Sequence, residues 1–374
     1  MGPGGESMDF GKLEREVIES DLCCLCGACV ASCPVNVLRF DKDSIVIEGN
    51  CISCGTCGRV CPGKGFDFTA YQSGKFGSTS RGPPGTGMGI YRSRYNLVAT
   101  DREVLKTGYF GGRVSAVLIN GLENGLIDAA LLTDWGDEGS LSVGKAVLVK
   151  DRNGVLEMAS SKYVFSPVLT LLGEVSQDPE IRSVAVVGLP CHMEALRNMG
   201  SDRTASEITS KIRYLISLNC GAPNLGESGM RKMASDICGI PADSIVSFRA
   251  RKPSKSAISV KVLDSDGVEH EKEMTMAAYM NGFRRSRRWP RCEICPDYSG
   301  IASDVTFGAP LVRTEAGEQL VTSAVENGHL KKGTFARYLY QLALDLFVSG
   351  LKVRRTKKDI RRRKREGRNF PRYR

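Results

Sequence analysis

The sequence predicts an α/β domain preceded by a small α+β, cysteine-rich domain, and three observations carry that expectation. Cysteines at 23, 26, 29 and 33, with Pro34 behind them, recur at Cys51, Cys54, Cys57, Cys61 and Pro62, an internal repeat near the start of the chain. Beyond residue 90, helix-period stretches alternate with short apolar runs, the pattern of an α/β sheet. The chain of 374 residues, 41% hydrophobic and 25% charged, is long enough for a small domain and a larger one. No run approaches eighteen consecutive apolar residues, so no transmembrane span is expected.

Taken in order, residues 1–14, opening "MGPGGESMDF", read as a flexible leader. Residues 15–72 form the cysteine-rich domain, with strands in "VLRFD" and "SIVIE" between the repeats. Residues 73–90 are Gly-, Ser- and Pro-rich and read as a linker or long loop. Gly85, Gly87 and Gly89 mimic part of a nucleotide fingerprint, but no strand precedes them and Pro83 and Pro84 spoil the turn. The larger domain spans 91–332, with a hairpin hinged at Asp266-Gly267 appended to it. Residues 333–351 read as an amphipathic helix packed on the core. Residues 352–374 carry thirteen Lys and Arg against Asp359 and Glu366, a net of +11, which leaves −1 for the rest of a chain of net +10. Such a block reads as a disordered, solvated tail, open to an acidic partner, an anionic membrane surface or nucleic acid. Nucleic acid is the weakest of the three, because "RRSRRWPR" lacks the aromatic interleaving of a base-stacking surface.

Each cysteine run has the C-x₂-C-x₂-C-x₃-C-P form that holds bacterial [4Fe–4S] clusters, the fourth cysteine reaching across to the other cluster. Cys23, Cys26, Cys29 and Cys61 are thus expected to hold one cluster, and Cys51, Cys54, Cys57 and Cys33 the second. Zinc would explain neither the proline endings nor the duplication. Disulfides would need a secretory signal and a core too small to stand alone. Cys24 is left over and reads as a small buried hydrophobe beside the cluster.

Four further cysteines suggest a third metal site. Cys191 follows the strand-like "VAVVGLP" and opens a helix, Cys220 ends "YLISLNC", and Cys292 and Cys295 form a C-x₂-C pair before Pro296. Ligands gather at the carboxyl ends of strands in α/β sheets, which would place Cys191 and Cys220 on one edge. From the residues alone this site is open between iron–sulfur, zinc and unrelated core cysteines. Cys238 reads as packing. Gly111-Gly112, at a helix start in "YFGGRVSAVL", could admit a phosphate, and "SSKYVFSP" adds a lysine and aromatics. No Ser-His-Asp or P-loop signature is present, and no side chain is singled out as catalytic.

From "MGIYRSRYNLVATDREVLKTGYFGGRVSAVLINGLENGLIDAALL" through "SSKY" and "VVGLPCHMEALR" to "RCEICPDYSGIASDVTFG", about residues 85 to 310, the chain resembles the coenzyme F420 hydrogenase/dehydrogenase beta-subunit family. The front end is like that of its members fused to a bacterial-ferredoxin-like domain. Phe110, Arg113 and His192 depart from the usual residues of these motifs, and the basic C-terminal segment lies outside the pattern. The resemblance implies an α/β flavin/iron-sulfur domain, FAD as the central cofactor and coenzyme F420 as the substrate, the alternatives being the same cofactors acting on another substrate, in a formate-linked complex or on a chlorophyll derivative, or a pure iron–sulfur electron-relay subunit. It tips Cys191, Cys220, Cys292 and Cys295 towards a third [4Fe–4S] cluster, and marks Gly111, Gly112, Ser161, Lys162 and Tyr163 as flavin- or substrate-site candidates. It also implies a redox partner subunit in a larger complex, cytoplasmic or peripheral to the membrane.

Overall fold

A computed structural model describes residues 9–78, 87–109, 111–137, 140–221, 224–251, 257–286, 288–308 and 310–373. Its centre is a seven-stranded sheet in the order Ser93–Arg94, Leu311–Val312, Val305–Phe307, Ile212–Leu218, Val184–Gly188, Ala129–Asp134, Lys145–Val149. The four strands from Val305–Phe307 to Ala129–Asp134 run parallel, and antiparallel strands close both edges. The parallel strands are apolar on both faces, as a sheet covered on both sides requires. Ala130, Leu132, Ala185, Val187, Tyr214 and Ile216 pack against the helices Arg113–Glu123 and Glu315–Glu326. Leu131, Val184, Val186 and Leu215 face the helix Pro190–Ser201 and, beyond it, the cysteine-rich domain.

That domain pairs Leu38–Asp41 with Ser44–Ile47 as an antiparallel hairpin, and sets the short helices Ala28–Ala31 and Thr56–Val60 behind the two cysteine runs. It shares a core with the larger domain: Cys24, Cys26, Ala28 and Val60 pack with Met193 and Leu196. The Asp266-Gly267 turn joins Ala257–Asp264 to Glu269–Thr275, and a third strand, Ile245–Arg251, extends this pair into a separate sheet.

The ends of the chain differ from the sequence expectation. Residues 1–8 lie outside the described residues. Within the expected leader, the Asp9 carboxylate accepts the Lys12 N–H (2.8 Å) and starts a helix whose Phe10 and Leu13 are buried with Val17. The expected linker begins inside the helix Phe68–Phe76 and ends with Met88 buried; Gly85 lies outside the described residues.

The C-terminal segment is not a solvated tail. One helix, Phe335–Arg365, runs through the expected boundary at 351/352. It docks by a polar stripe, Gln341, Asp345, Ser349, Lys352, Thr356, Asp359 and Arg363, all buried at helical spacing. Its apolar residues Phe335, Leu339, Tyr340, Phe347 and Leu351 are exposed, the reverse of the expected packing. Past the helix, Arg372–Tyr373 pairs in parallel with Gly65–Phe66 of the cysteine-rich domain, and Tyr373 stacks on Phe68 with centroids 5.9 Å apart. The Arg363 guanidinium donates to the carbonyl oxygen of Ser20 and the Asn369 side-chain amide to the Ser20 hydroxyl. The chain thereby returns across its own N-terminal domain.

Gly65 is required for that return. Its φ is +119°, and a Cβ there would lie 2.0 Å from the Arg372 carbonyl oxygen. Gly65→Ala should release the terminal strand at a cost of about 1–3 kcal/mol and speed tryptic cleavage after Arg368, followed by mass spectrometry. Unchanged cleavage kinetics would show the pairing to be dispensable.

Candidate cofactor sites

The structure gathers the twelve predicted cysteines into three groups. Cys23, Cys26, Cys29 and Cys61 lie close to one another, and burial, followed by the neighbouring thiols, pushes the Cys23 and Cys29 thiols up, Cys23 to about 12. Four thiols packed this way resist ionising one by one, and a bound cation reverses that balance. Cys33, Cys51, Cys54 and Cys57 line a second space with Phe10, Pro34 and Ile52. Its Cys51 and Cys54 are exposed, and its Cys57 lies close to Cys29 of the first group.

Cys191, Cys220, Cys292 and Cys295 line a third cavity. The strands Val184–Gly188 and Ile212–Leu218 are neighbours, with Gly188 opposite Ser217, so the residues just past their carboxyl ends meet at one edge. Pro190 starts the helix that carries Cys191, and Pro290 starts the short helix that carries Cys292. Burial pushes Cys292 up to about 12 and Cys295 up to about 11. Among the described residues no three His, Cys, Asp or Glu side chains converge tightly enough to grip a single metal ion. The cysteines of the second and third groups line spaces.

Several groups at this cavity escape a sequence reading. Cys24, the extra cysteine of the first run, lines it, and its thiol is within hydrogen-bonding reach of both Cys191 and Cys26. His192 is buried; its Nδ1 accepts the Leu189 N–H (2.8 Å), and burial pushes it down to about 4 against the opposing pull of a hydrogen bond to the Ser166 backbone. The neutral ring therefore carries its proton on Nε2, in the cavity wall. Arg291, 2% exposed, donates to the Pro62 carbonyl (3.0 Å) and to the Tyr373 hydroxyl, and lies 3.8 Å from the Glu194 carboxylate. The Trp289 indole donates to the Cys23 carbonyl (2.7 Å). The loop bearing Cys292 and Cys295 is thus fastened to the first cysteine group. Lys352 and Arg355 reach the cavity from the C-terminal helix, and Arg355 donates to the carbonyls of Cys292 and Glu293 (both 3.1 Å). Within a run of thirteen basic residues nothing distinguishes these two in sequence.

The flavin candidates lie next to this cavity in part. Tyr163 packs on Tyr279 and Phe283, lies near Tyr109 on one side and Cys220 on the other, and burial pushes its phenol up. Phe165 and Ser166 of the same segment line the cysteine cavity. The Lys162 ammonium donates to the Met158 carbonyl (2.7 Å), and Ser160 beside Ser161 has φ +99°. Gly111 and Gly112 start the helix Arg113–Glu123 in the left-handed region. A Cβ on Gly112 would strike the Val104 side chain at 2.5 Å, so the structure itself demands glycine there, apart from any approach of phosphate. Phe110 lies outside the described residues. Cys238 ends the helix Glu227–Cys238 against the core of the separate sheet. Among the described residues no helix is long and apolar enough to cross a membrane.

The chain matches three family patterns: a 4Fe-4S dicluster domain over residues 15–64, the N-terminal part of coenzyme F420 hydrogenase/dehydrogenase beta subunits over 95–173, and their C-terminal part over 181–337. It is similar to an uncharacterized protein of Methanocaldococcus jannaschii, 26% identical, over 94% of this chain and 98% of that one. It is 28% identical to the coenzyme F420-dependent sulfite reductase of the same organism, over 94% of this chain but only 52% of the reductase. In structure it resembles a chain from the F420-reducing [NiFe] hydrogenase complex of Methanosarcina barkeri, with a TM-score of 0.60 and 22% identity over 78% of this chain and 98% of that one.

Glu194 provides a test of the site's electrostatics. Burial raises its carboxyl to about 8 against the opposing pull of Arg291. The folded state then holds a proton that the unfolded chain releases near 4.5, so the stability is fully present below that pH and is lost as pH rises towards 8. The slope is about 1.4 kcal/mol per pH unit, and Glu194→Gln should remove it. Urea midpoints at pH 5 to 8 measure this, and parallel curves for the two proteins would mean that Glu194 is ionised in the fold.

Proposed function

This chain belongs to the coenzyme F420 hydrogenase/dehydrogenase beta-subunit family, and from that premise we propose that it is a flavin and iron–sulfur oxidoreductase subunit. It takes a hydride from reduced coenzyme F420 onto FAD and passes single electrons through three [4Fe–4S] clusters to a partner protein, or runs the reverse path. The observation that carries this reading is the order of the sites. Tyr163 adjoins Cys220 of the third cavity, Cys24 joins that cavity to Cys26 of the first group, Cys29 adjoins Cys57 of the second, and the series ends at the exposed Cys51 and Cys54.

When bound, FAD supplies exchange between two-electron hydride chemistry and one-electron transfer, and the clusters accept one electron each. The chain's own residues hold and shield these groups. Cys191, Cys220, Cys292 and Cys295 would ligate the third cluster, and Cys23, Cys26, Cys29, Cys61 with Cys51, Cys54, Cys57, Cys33 the other two. Tyr109, Tyr163 and Tyr279 lie together and would keep water from the rings of a bound flavin. No side chain need act as acid or base in hydride transfer, in keeping with the lack of a catalytic dyad in the sequence.

A partner subunit is supported by the C-terminal helix, which leaves Phe335, Tyr340 and Phe347 more than half exposed on an outward stripe. Further along it, Arg354, Lys357, Lys358, Arg361 and Arg365 are also exposed. An apolar face running into a basic one suits an acidic-rimmed groove on a partner protein.

Protein prepared anaerobically should contain about twelve iron per chain, four for each cubane. Replacing Cys292 and Cys295 by serine should remove four of them and spare the rest, and stoichiometric zinc would overturn the third cluster. Mixing with reduced coenzyme F420 should bleach the flavin first and the cluster absorbance second in a stopped-flow record. NADH should do so poorly, since no G-x-G-x-x-G strand–turn–helix is present to hold a dinucleotide. Cluster reduction by the deazaflavin in FAD-free protein would refute the order argued here.

A further inference from the structure

The C-terminal helix lies outside the matched family patterns beyond residue 337, yet it sends a cation into the third cavity. Lys352 is 6% exposed, and its ammonium donates to the carbonyl oxygens of Cys220 (2.9 Å) and Asp297 (2.6 Å). Neither oxygen bears a charge. The Asp297 carboxylate is taken up by the backbone N–H groups of Ser299, Gly300 and Ile301. A buried ammonium without a paired anion is costly. Lys352 lines the cavity together with Cys191, Cys220, Cys292 and Cys295. The missing counter-charge is therefore that of the cysteines themselves once they are ionised.

We propose that Lys352 is a positioning and charge-compensating residue for the third cluster, raising that cluster's reduction potential so that it accepts electrons from the flavin site. The inference rests on the assignment of Cys191, Cys220, Cys292 and Cys295 as cluster ligands. The physical step is simple. One-electron reduction would add a unit of negative charge to a bound cubane and neither form nor break a bond, and a fixed cation in the cavity lining would favour the more negative form. Arg291 supplies a second buried cation in the cavity lining, but its guanidinium lies 3.8 Å from the Glu194 carboxylate and donates to the Tyr373 hydroxyl, whereas the Lys352 ammonium is held by the two carbonyls. Two of the three ammonium hydrogens are fixed on backbone carbonyls of the ligand-bearing segments, so the charge is held in place as the cluster cycles.

The test uses full-length protein with Lys352→Met and Lys352→Arg, titrated with dithionite under argon and followed by electron paramagnetic resonance. The signal absent from the Cys292→Ser/Cys295→Ser protein identifies the third cluster. In Lys352→Met, that signal alone should move to a more negative potential, in Lys352→Arg it should return towards the parent value, and the two N-terminal signals should stay in place. Methionine preserves the volume, so loss of four iron in the Met variant but not in the Arg variant would also support the charge. An unmoved potential in Lys352→Met, an equal shift in both variants, or loss of the cluster in both would overturn the proposal. Parent protein with eight iron and no third signal would instead refute the ligand assignment, and the role of Lys352 with it.

Discussion

The buried guanidinium of Arg291 is the interaction on which the arrangement of the three cysteine groups depends. It sits between the loop of Cys292 and Cys295, the Pro62 end of the second cysteine run and the Tyr373 end of the chain, and touches all three. Five rigid donors in a plane can span such a junction, and a lysine in its place could not. The position has a cost. The Nε of Arg291 and both carboxylate oxygens of Glu194 are buried with no hydrogen-bond partner. Glu194 relieves part of that cost by staying protonated, so the pair acts at neutral pH as a guanidinium beside a carboxylic acid more than as two opposed charges. The positive charge then remains available to the thiols around it, Cys24 and Cys295 among them.

What the sequence discloses and what it hides follow from how local each signal is. The cysteine runs are local: spacing and the trailing proline indicate cubane chemistry without any knowledge of tertiary contacts, and the structure gathers those eight cysteines into two groups. Cys191 and Cys220 were legible because strand-end geometry in a parallel sheet is a general rule, and the register of Gly188 against Ser217 follows it. Cys24 was legible only as a buried residue, which it is. Its neighbour Cys191 is 167 residues away, and a thiol between two sites looks in sequence like a spare hydrophobe. Gly112 shows how one residue can answer to two demands, since the packing of Val104 against it requires glycine whether or not a phosphate approaches.

The C-terminal helix was misread for a physical reason. Binary patterning assumes that the apolar face turns inward, and here the inward face carries Asp345, Lys352, Asp359 and Arg363 while phenylalanine, tyrosine and leucine look out. A polar stripe can be buried only if its partners are provided one by one. Asp345 meets the Arg94 guanidinium (2.8 Å) and the Tyr298 hydroxyl (2.9 Å), Lys352 meets two carbonyls, and Arg363 meets those of Ser20 and Asn369. Such an interface is specific rather than adhesive, because a slip of one turn leaves several buried charges unpaired. It sets the helix in a single register, with Lys352 at the third cavity and the terminal strand against Gly65.

That register also changes the meaning of the net charge. The formal +10 counts every cysteine as neutral, whereas a cubane on four thiolates carries about −2 when oxidised, and electrostatics that leaves out the bound ion is incomplete. Three such clusters would bring the loaded protein to about +4 and place the new negative charge where Arg291 and Lys352 are buried. Part of the basic C-terminal segment, Lys352 and Arg363 among it, belongs to the interior, where it would serve as counter-charge to bound clusters, and only the outward residues such as Arg354, Lys358, Arg361 and Arg365 remain for a partner. The same helix serves both ends because its two faces are separated by the 3.6-residue period: one turns Lys352 towards the third cavity, and the other leaves an apolar and basic surface exposed.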